Sequence, residues 1–265
     1  MMELEDLPVA DLIKILNEED ERVLKAVRSQ SEVIESAIDL YVRTLKAGGK
    51  VVYFGAGTSG RIAFMDAVEL YPTFGVGRES VIPLIAGGLD ALRTAVEGAE
   101  DSISNADQDF LSVYPSPDYL FMGLSATGRT PYVVEILNKA KGIGAKTVAI
   151  TSTKGSPVTQ IADLCIVLDV GEEIIKGSTR LKAGTAEKMV LNSISTISMI
   201  KLGKTEKGLM KNMVPLNSKL RERAISIVSD LAKCSREEAE SALLTNDWKI
   251  QKAIDFVRGR DAGQS

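Results

Sequence analysis

The chain contains no histidine. That absence removes the Ser-His-Asp triad and every histidine general acid or base. Only two cysteines occur, Cys165 and Cys234, so neither a Cys/His zinc site nor a disulfide framework can be built. No EF-hand or other clustered-carboxylate spacing is present, and neither a metal nor a cofactor is expected. An apolar run of the roughly 18 residues that a spanning helix needs is also missing. The start, Met1-Met2-Glu3-Leu4-Glu5-Asp6, is acidic where a secretory signal is basic and then apolar. A cytoplasmic protein with no membrane partner is expected. A surplus of one charge is lacking too. The chain carries 36 acidic against 32 basic residues, a net charge of −4, which argues against a nucleic-acid partner. Acid–base chemistry must fall to Glu, Asp, Lys or Tyr.

What is present fits an ordinary globular chain. Its 265 residues are 45% apolar and 26% charged, enough for one core domain with a small appendage. Residues 1–47 read as helices. Asn17 or Asp20 is placed to cap a long one, and Val23, Val27, Ile34, Ile38, Val42 and Leu45 recur at helical spacing. Short apolar runs follow, most ending in glycine or hydroxyl residues: Lys50–Phe54, Val81–Ile85, Tyr119–Leu124, Thr147–Ile150 and Leu164–Leu168. Helical stretches at Ile62–Leu70, Leu89–Glu97 and Tyr132–Lys141 lie between them. Alternation of this kind predicts an α/β three-layer sandwich around a five-stranded parallel sheet, over residues 48–214. From Ala183 the chain reads as helical. Ala183–Lys201 forms one helix, Pro215 breaks the stretch from Leu209 to Leu231, and two short helices follow. Ser235 with Glu238 predicts a capping box, Asp247 a further cap, and Arg258–Ser265 a frayed tail. Residues 215–265 form a small helical region resembling a ubiquitin-associated module.

Ligands of open parallel sheets bind beyond the carboxyl ends of the strands. Two such ends are unusual here. Gly55-Ala56-Gly57-Thr58-Ser59-Gly60-Arg61 follows the first strand, and Ser125-Ala126-Thr127-Gly128-Arg129-Thr130-Pro131 the third. Glycine lets backbone amides approach a ligand, hydroxyls donate hydrogen bonds, and each loop opens a helix whose amino end favours an anion. One such loop is what turns and helix caps use anyway. Two facing one crevice point to a phosphate or sugar-phosphate. Gly55-x-Gly57-x-x-Gly60 lacks the acidic residue that a dinucleotide fingerprint places at the end of the second strand, and no Gly-Lys-Ser/Thr makes a Walker loop. In Gly177–Lys188, Ser178 or Thr179 is a candidate cap. Arg180, Lys182 and Lys188 near a helix start oppose the macrodipole, so an anion or a partner carboxylate should offset them.

These residues resemble a family. Hydroxyl-rich loops on such a sandwich are similar to the sugar isomerase (SIS) phosphosugar-binding domain. Gly55–Arg61, Pro72–Val76, Ile85–Gly88, Val96–Asp101, Gly128–Val133 and Gly177–Lys188 together resemble the N-acetylmuramic acid 6-phosphate etherases, relatives of the animal glucokinase regulatory protein. The resemblance runs from Leu12 to about Val257. It implies a carbon–oxygen lyase that removes D-lactate from C3 of a muramic acid 6-phosphate and adds water. Glu69 matches the glutamate that protonates the departing oxygen, and Glu100 the one that removes the C2 proton. Ser59, Ser125, Thr127 and Thr130 match phosphate contacts, with Thr58, Arg129 and Ser178 as further substrate contacts and Lys182 and Tyr132 as weaker ones. The resemblance also implies a homodimer. Where the etherases read Ala-Ser-Glu-Cys-Pro-Pro-Thr, this chain has Ala67-Val68-Glu69-Leu70-Tyr71-Pro72-Thr73. The two rival readings are a non-catalytic sugar-phosphate sensor of the regulatory-protein type, which needs neither glutamate, and an aldose–ketose isomerase, disfavoured by the missing histidine.

Overall fold

The computed structural model describes residues 4–262, and side chains as far as residue 259. Five parallel strands make one sheet: β1 (Val51–Gly55), β2 (Val81–Ile85), β3 (Leu120–Leu124), β4 (Lys146–Thr151) and β5 (Leu164–Val167), in the order β2-β1-β3-β4-β5. Alternation along each strand sorts the core into two layers. Val51, Tyr53, Leu120, Met122, Leu124, Val148 and Ile150 face one side. There they meet α1 (Val9–Ser29), α2 (Ser31–Lys46), α3 (Gly57–Phe74) and α7 (Lys182–Lys201). Val52, Phe54, Phe121 and Ala149 face the other side, covered by α4 (Ile103–Ser112), α5 (Pro131–Gly142) and the short α6 (Pro157–Ile161). Nearly every strand residue is apolar because both faces are covered. A third core joins α8 (Ser218–Ala232), α9 (Arg236–Thr245) and α10 (Ile250–Ala262) around Ala224, Val228, Ala239, Leu243, Ala253 and Ile254. No helix among the described residues is long and apolar enough to cross a membrane.

The strands and the sandwich follow the expectation, while several helices do not. The amino-terminal helix does not begin at Asn17 or Asp20. It starts at Val9, behind Pro8, whose φ of −58° suits a helix start. It ends at Gln30, which leaves helical geometry at φ −103° and ψ 13°. The Gln30 side chain there accepts a hydrogen bond from Val167 N of β5 at 3.1 Å, so the break ties two helices to the sheet. The helix expected at Leu89–Glu97 is only a 3-10 turn, Gly88–Leu92, entered through two left-handed glycines. The helix of that crossover is α4, capped by Ser102, whose Oγ accepts from Asn105 N at 3.2 Å. Its mixed sequence carries too few apolar residues to show a period, and α6 is too short to show one.

At the carboxyl end, the stretch from Leu209 becomes helical only at Ser218, where the Asn217 side chain accepts from Leu220 N at 2.9 Å. The Ser235–Glu238 capping box forms as expected, with both reciprocal bonds made. Asp247 is no cap: it and Trp248 are left-handed, at φ 53° and 57°, ahead of a helix that starts at Ile250. The tail expected to fray from Arg258 is helical to Ala262, and residues 263–265 lie outside the described residues. Arg258 donates to Glu206 Oε1 and to Leu231 O, each at 2.7 Å.

The order β2-β1-β3 sends the chain to opposite sides of β1, so the crevice lies between the carboxyl ends of β1 and β3. Two glycines let α3 begin there. A Cβ on Gly60 would sit 2.7 Å from Gly55 O and 2.6 Å from Ile85 Cγ1; one on Gly55 would sit 2.9 Å from Gly60 N. The α3 start is therefore in van der Waals contact with the end of β1. Gly60→Ala gains about 1 kcal/mol of helix propensity but forces backbone apart, which typically costs about 1–3 kcal/mol. Denaturant unfolding should show a net loss of stability. A more stable variant would contradict this contact.

Candidate functional site

A cleft of about 350 Å³ opens at the crevice. Gly57, Thr58 and Ser59 line it from the first turn of α3, and Ser125, Thr127, Arg129 and Thr130 from the loop between β3 and α5. Glu100 and Asp101 enter from a 3-10 turn, Ala99–Asp101, and Thr179 from the segment before α7. Neither α3 nor α5 has a side-chain cap: Ala56 and Thr130 stand at the cap positions without accepting a backbone hydrogen bond there. The amino ends of two helices thus border one cleft. That arrangement favours an anion more than either end alone.

The β3–α5 loop is held from behind. Thr151 Oγ1 and Thr153 Oγ1 both donate to Ala126 O at 3.2 Å. Gly128 is left-handed, φ 64°, and a Cβ there would lie 2.0 Å from Ser156 Oγ. Ser125 Oγ and Thr130 Oγ1 are 2.9 Å apart and hydrogen-bonded, which brings two hydroxyls to one point. Thr127 is exposed, its Oγ1 accepting from Arg129 N at 3.4 Å.

Of the residues singled out in the sequence, the structure brings seven together in this cleft: Thr58, Ser59, Ser125, Thr127, Arg129, Thr130 and Glu100. Four stand elsewhere. Glu69 is exposed on α3, eleven residues beyond Thr58, which is about 16 Å along a helix axis at 1.5 Å per residue. Ser178 is half-buried and does not line the cleft. It is no cap for α7 either, and nor is Thr179. The cap position is Leu181, and the Glu173 carboxylate accepts from Lys182 N and Ala183 N at 3.2 and 2.9 Å. Lys182 is 2% exposed; its ammonium is paired with Glu19 of α1 and donates to Glu172 O at 2.6 Å. Partner carboxylates therefore offset the base at this helix start. Tyr132 is buried, and its hydroxyl donates to Asp109 Oδ2 at 2.6 Å.

Two buried carboxylates between α3 and α7 escaped the sequence reading. Glu187 is fully buried, and its Oε1 accepts from Ser59 Oγ at 3.0 Å, while Oε2 has no partner. Burial pushes its carboxyl up to about 8, against the smaller opposing effect of the Ser59 bond. Asp66 is 6% exposed, and its Oδ1 accepts from Ser195 Oγ at 3.1 Å and lies 3.7 Å from Lys188 Nζ. Burial raises it too, with Lys188 pulling the other way. The signal for Glu187 was available. Ala183, Ala186, Val190, Leu191 and Ile194 mark the buried stripe of α7, and Glu187 falls inside it. Among the described residues, no group of three or more Cys, Asp or Glu side chains is placed to hold a metal ion.

Comparison with known proteins adds identity to this geometry. Residues 32–141 match the glucokinase regulatory protein N-terminal SIS domain, and residues 109–196 match the SIS domain. N-acetylmuramic acid 6-phosphate etherase 2 of Lactiplantibacillus plantarum is 45% identical over 97% of this chain and 86% of its own length. The Actinobacillus succinogenes etherase is 43% identical over 97% and 84%. Among solved structures, phosphoheptose isomerases of Francisella tularensis and Neisseria gonorrhoeae superpose with TM-scores of 0.57 and 0.56. They are 18% and 14% identical, and each match covers 72% of this chain and 98% of the other. At that identity the likeness is one of fold.

The buried carboxyl of Glu187 makes stability depend on pH. A group whose folded value, about 8, exceeds its ordinary 4.5 contributes stability that is complete below the lower value and lost as pH climbs to the upper. Glu187→Gln removes that titration. Relative to this variant, the parent should lose a few kcal/mol between about pH 5 and 9, read as a falling denaturant midpoint. An unchanged difference between the two proteins across that range would show that Glu187 does not carry a proton in the fold.

Proposed function

This chain belongs to the N-acetylmuramic acid 6-phosphate etherase family, and from that premise we propose how its own residues release D-lactate from N-acetylmuramic acid 6-phosphate to leave N-acetylglucosamine 6-phosphate. The observation that carries the reading is the cleft itself. Two uncapped helix ends and a ring of hydroxyls face an exposed carboxylate, Glu100. Thr58, Ser59, Ser125, Thr127 and Thr130 take the phosphate by hydrogen bonds, and Arg129 adds charge. In the ring-opened sugar, Glu100 removes the proton at C2, beside the C1 carbonyl. The electron pair forms the C2–C3 double bond as the C3–O bond breaks. An ether oxygen leaves poorly as an anion, so an acid must protonate it, and water then adds at C3. With no histidine in the chain, a second carboxyl is the natural acid.

Glu69 is our candidate for that acid, and its position has a consequence. It stands about 16 Å along α3 from Thr58, outside the cleft that holds Glu100. A second copy of the chain can supply it, so we propose a homodimer whose site combines Glu100 of one protomer with Glu69 of the other. The cytoplasmic setting expected from the sequence belongs to the same proposal. The regulatory-protein match over residues 32–141 favours one alternative, a sensor that binds the sugar phosphate without cleaving it. D-lactate release from N-acetylmuramic acid 6-phosphate separates the two, since a sensor releases none.

Three measurements check these assignments. Thr127→Val deletes a hydrogen bond to a charged group, about 1.5–3 kcal/mol, so sugar-phosphate binding by calorimetry should weaken roughly 10- to 150-fold; parent-like affinity would remove Thr127 from the site. Glu69→Gln should lower lactate release by about 10²–10⁴ yet still wash solvent deuterium into C2 of recovered substrate, whereas Glu100→Gln should lose both. The reverse exchange pattern would swap the two roles. Finally, mixing the two inactive variants should restore about a quarter of the parent activity, because mixed dimers hold one intact site. No recovery on exchange of subunits would place both glutamates in one chain.

A further inference from the structure

Ser59 is shared between two environments. Ser59 is buried at the floor of the cleft it lines, and its hydroxyl oxygen lies 3.0 Å from Glu187 Oε1, behind it in the α3–α7 interface. A hydroxyl has one proton and two lone pairs. If Glu187 is ionised, it can only accept, so the Ser59 proton turns inward and a lone pair faces the cleft. A lone pair repels a phosphate oxygen. If Glu187 is protonated, its own O–H can donate to Ser59 Oγ, and the serine proton is released toward the cleft.

The surroundings choose between these states. Glu187 is 0% exposed, and Oε2 has no hydrogen-bond partner. Among the described residues no cation is paired with it. Several charged and titratable groups on the elements packed against α7 are engaged elsewhere. Arg61 of α3 donates to Thr94 O, and Asp66 of α3 is matched with Lys188 and Ser195 of α7. Lys182 of α7 pairs with Glu19 of α1, and Tyr41 of α2 bonds Tyr53 of β1. Glu100, Asp101 and Arg129 face the cleft. A buried carboxylate with one neutral donor and no counter-ion is strongly disfavoured against its protonated form.

We propose that Glu187 is a positioning residue: protonation of its carboxyl reverses the hydrogen bond that Ser59 Oγ otherwise donates to Oε1, so that the carboxyl donates to Ser59 Oγ and aims the serine hydroxyl proton at the substrate phosphate. The inference rests on the reading of Ser59 as a phosphate contact. It makes phosphate affinity fall once Glu187 ionises, in the alkaline range where its raised value of about 8 lies. The phosphate ester itself works in the opposite sense and lower down, since its second ionisation, near about pH 6, strengthens binding.

The test is the affinity for N-acetylglucosamine 6-phosphate, the product, measured by calorimetry from pH 6.5 to 9.5, a range set by about 1.5 units either side of the raised carboxyl. Using the product keeps the ionisation of catalytic groups out of any turnover term. In the parent, affinity should fall roughly 10-fold across the upper half of the range, the lower end for one hydrogen bond to a charged group. Glu187→Gln keeps shape and presents a permanent N–H donor to Ser59, so its affinity should match the parent at pH 7 and stay flat to pH 9.5. Ser59→Ala should be weak and flat throughout. An infrared band of a protonated carboxyl, present in the parent at pH 7 and absent from Glu187→Gln, should accompany these profiles. If Glu187→Gln loses affinity above pH 8 as the parent does while Ser59→Ala is weak, the phosphate contact stands and the positioning role falls. If Ser59→Ala binds as tightly as the parent, the phosphate contact itself is wrong and the inference falls with it.

Discussion

The close seat of α3 on the end of β1 is the constraint from which the site follows. Strand and helix are joined by Ala56 alone, so the helix start cannot stand off from the sheet. Side chains at Gly55 or Gly60 would hold the two apart. Contact at this point puts the first N–H groups of α3 beside the loop that leaves β3, because β1 and β3 are neighbours in the sheet. The anion-binding character of the cleft is therefore a property of topology and of two missing Cβ atoms. The hydroxyls refine it.

The back of the same helix meets a different demand. Between α3 and α7 lie two carboxyl groups that an apolar interface would not need, Glu187 against Ser59 and Asp66 against Ser195 and Lys188. Each is a net cost relative to a hydrocarbon of similar volume. They lie on the same helix pair, yet only Glu187 touches a residue of the cleft. Asp66 is held by a cation and a hydroxyl; Glu187 has a single neutral partner. That difference makes one a fixed bridge and the other a group with two available states.

The sheet was legible because its strands carry a simple signal. Val51–Gly55 and Leu120–Leu124 are short apolar runs buried along their whole length, and each leads into glycine and hydroxyl residues. The cleft was legible for the same reason, since its residues sit in two contiguous loops. What escaped was decided by partners far away in sequence. Gln30 breaks a helix because β5 offers an N–H 137 residues later, and Glu173 displaces Ser178 and Thr179 as the cap of α7. Lys182 looked like a ligand for a phosphate until α1 supplied Glu19. Helix α4 was missed for a local reason, its polar composition. The separation of Glu69 from Glu100 is a matter of axial distance, which a list of motifs does not contain.

The long-range pairing of α7 with the amino-terminal helices also bears on how the chain is made. Val23, Ala37 and Tyr41 are buried in the layer that α7 completes, and the Glu19–Lys182 pair spans the same gap. On the ribosome, α1 and α2 emerge first, and the stretch from Lys46 to Lys182 takes roughly 10–30 s to follow at ordinary synthesis rates. For that interval an apolar helical face and a half-made ion pair are open to solvent. A chain of this order leaves its earliest helices waiting for one made well past its midpoint, and the nascent protein is most exposed to misassociation before α7 arrives.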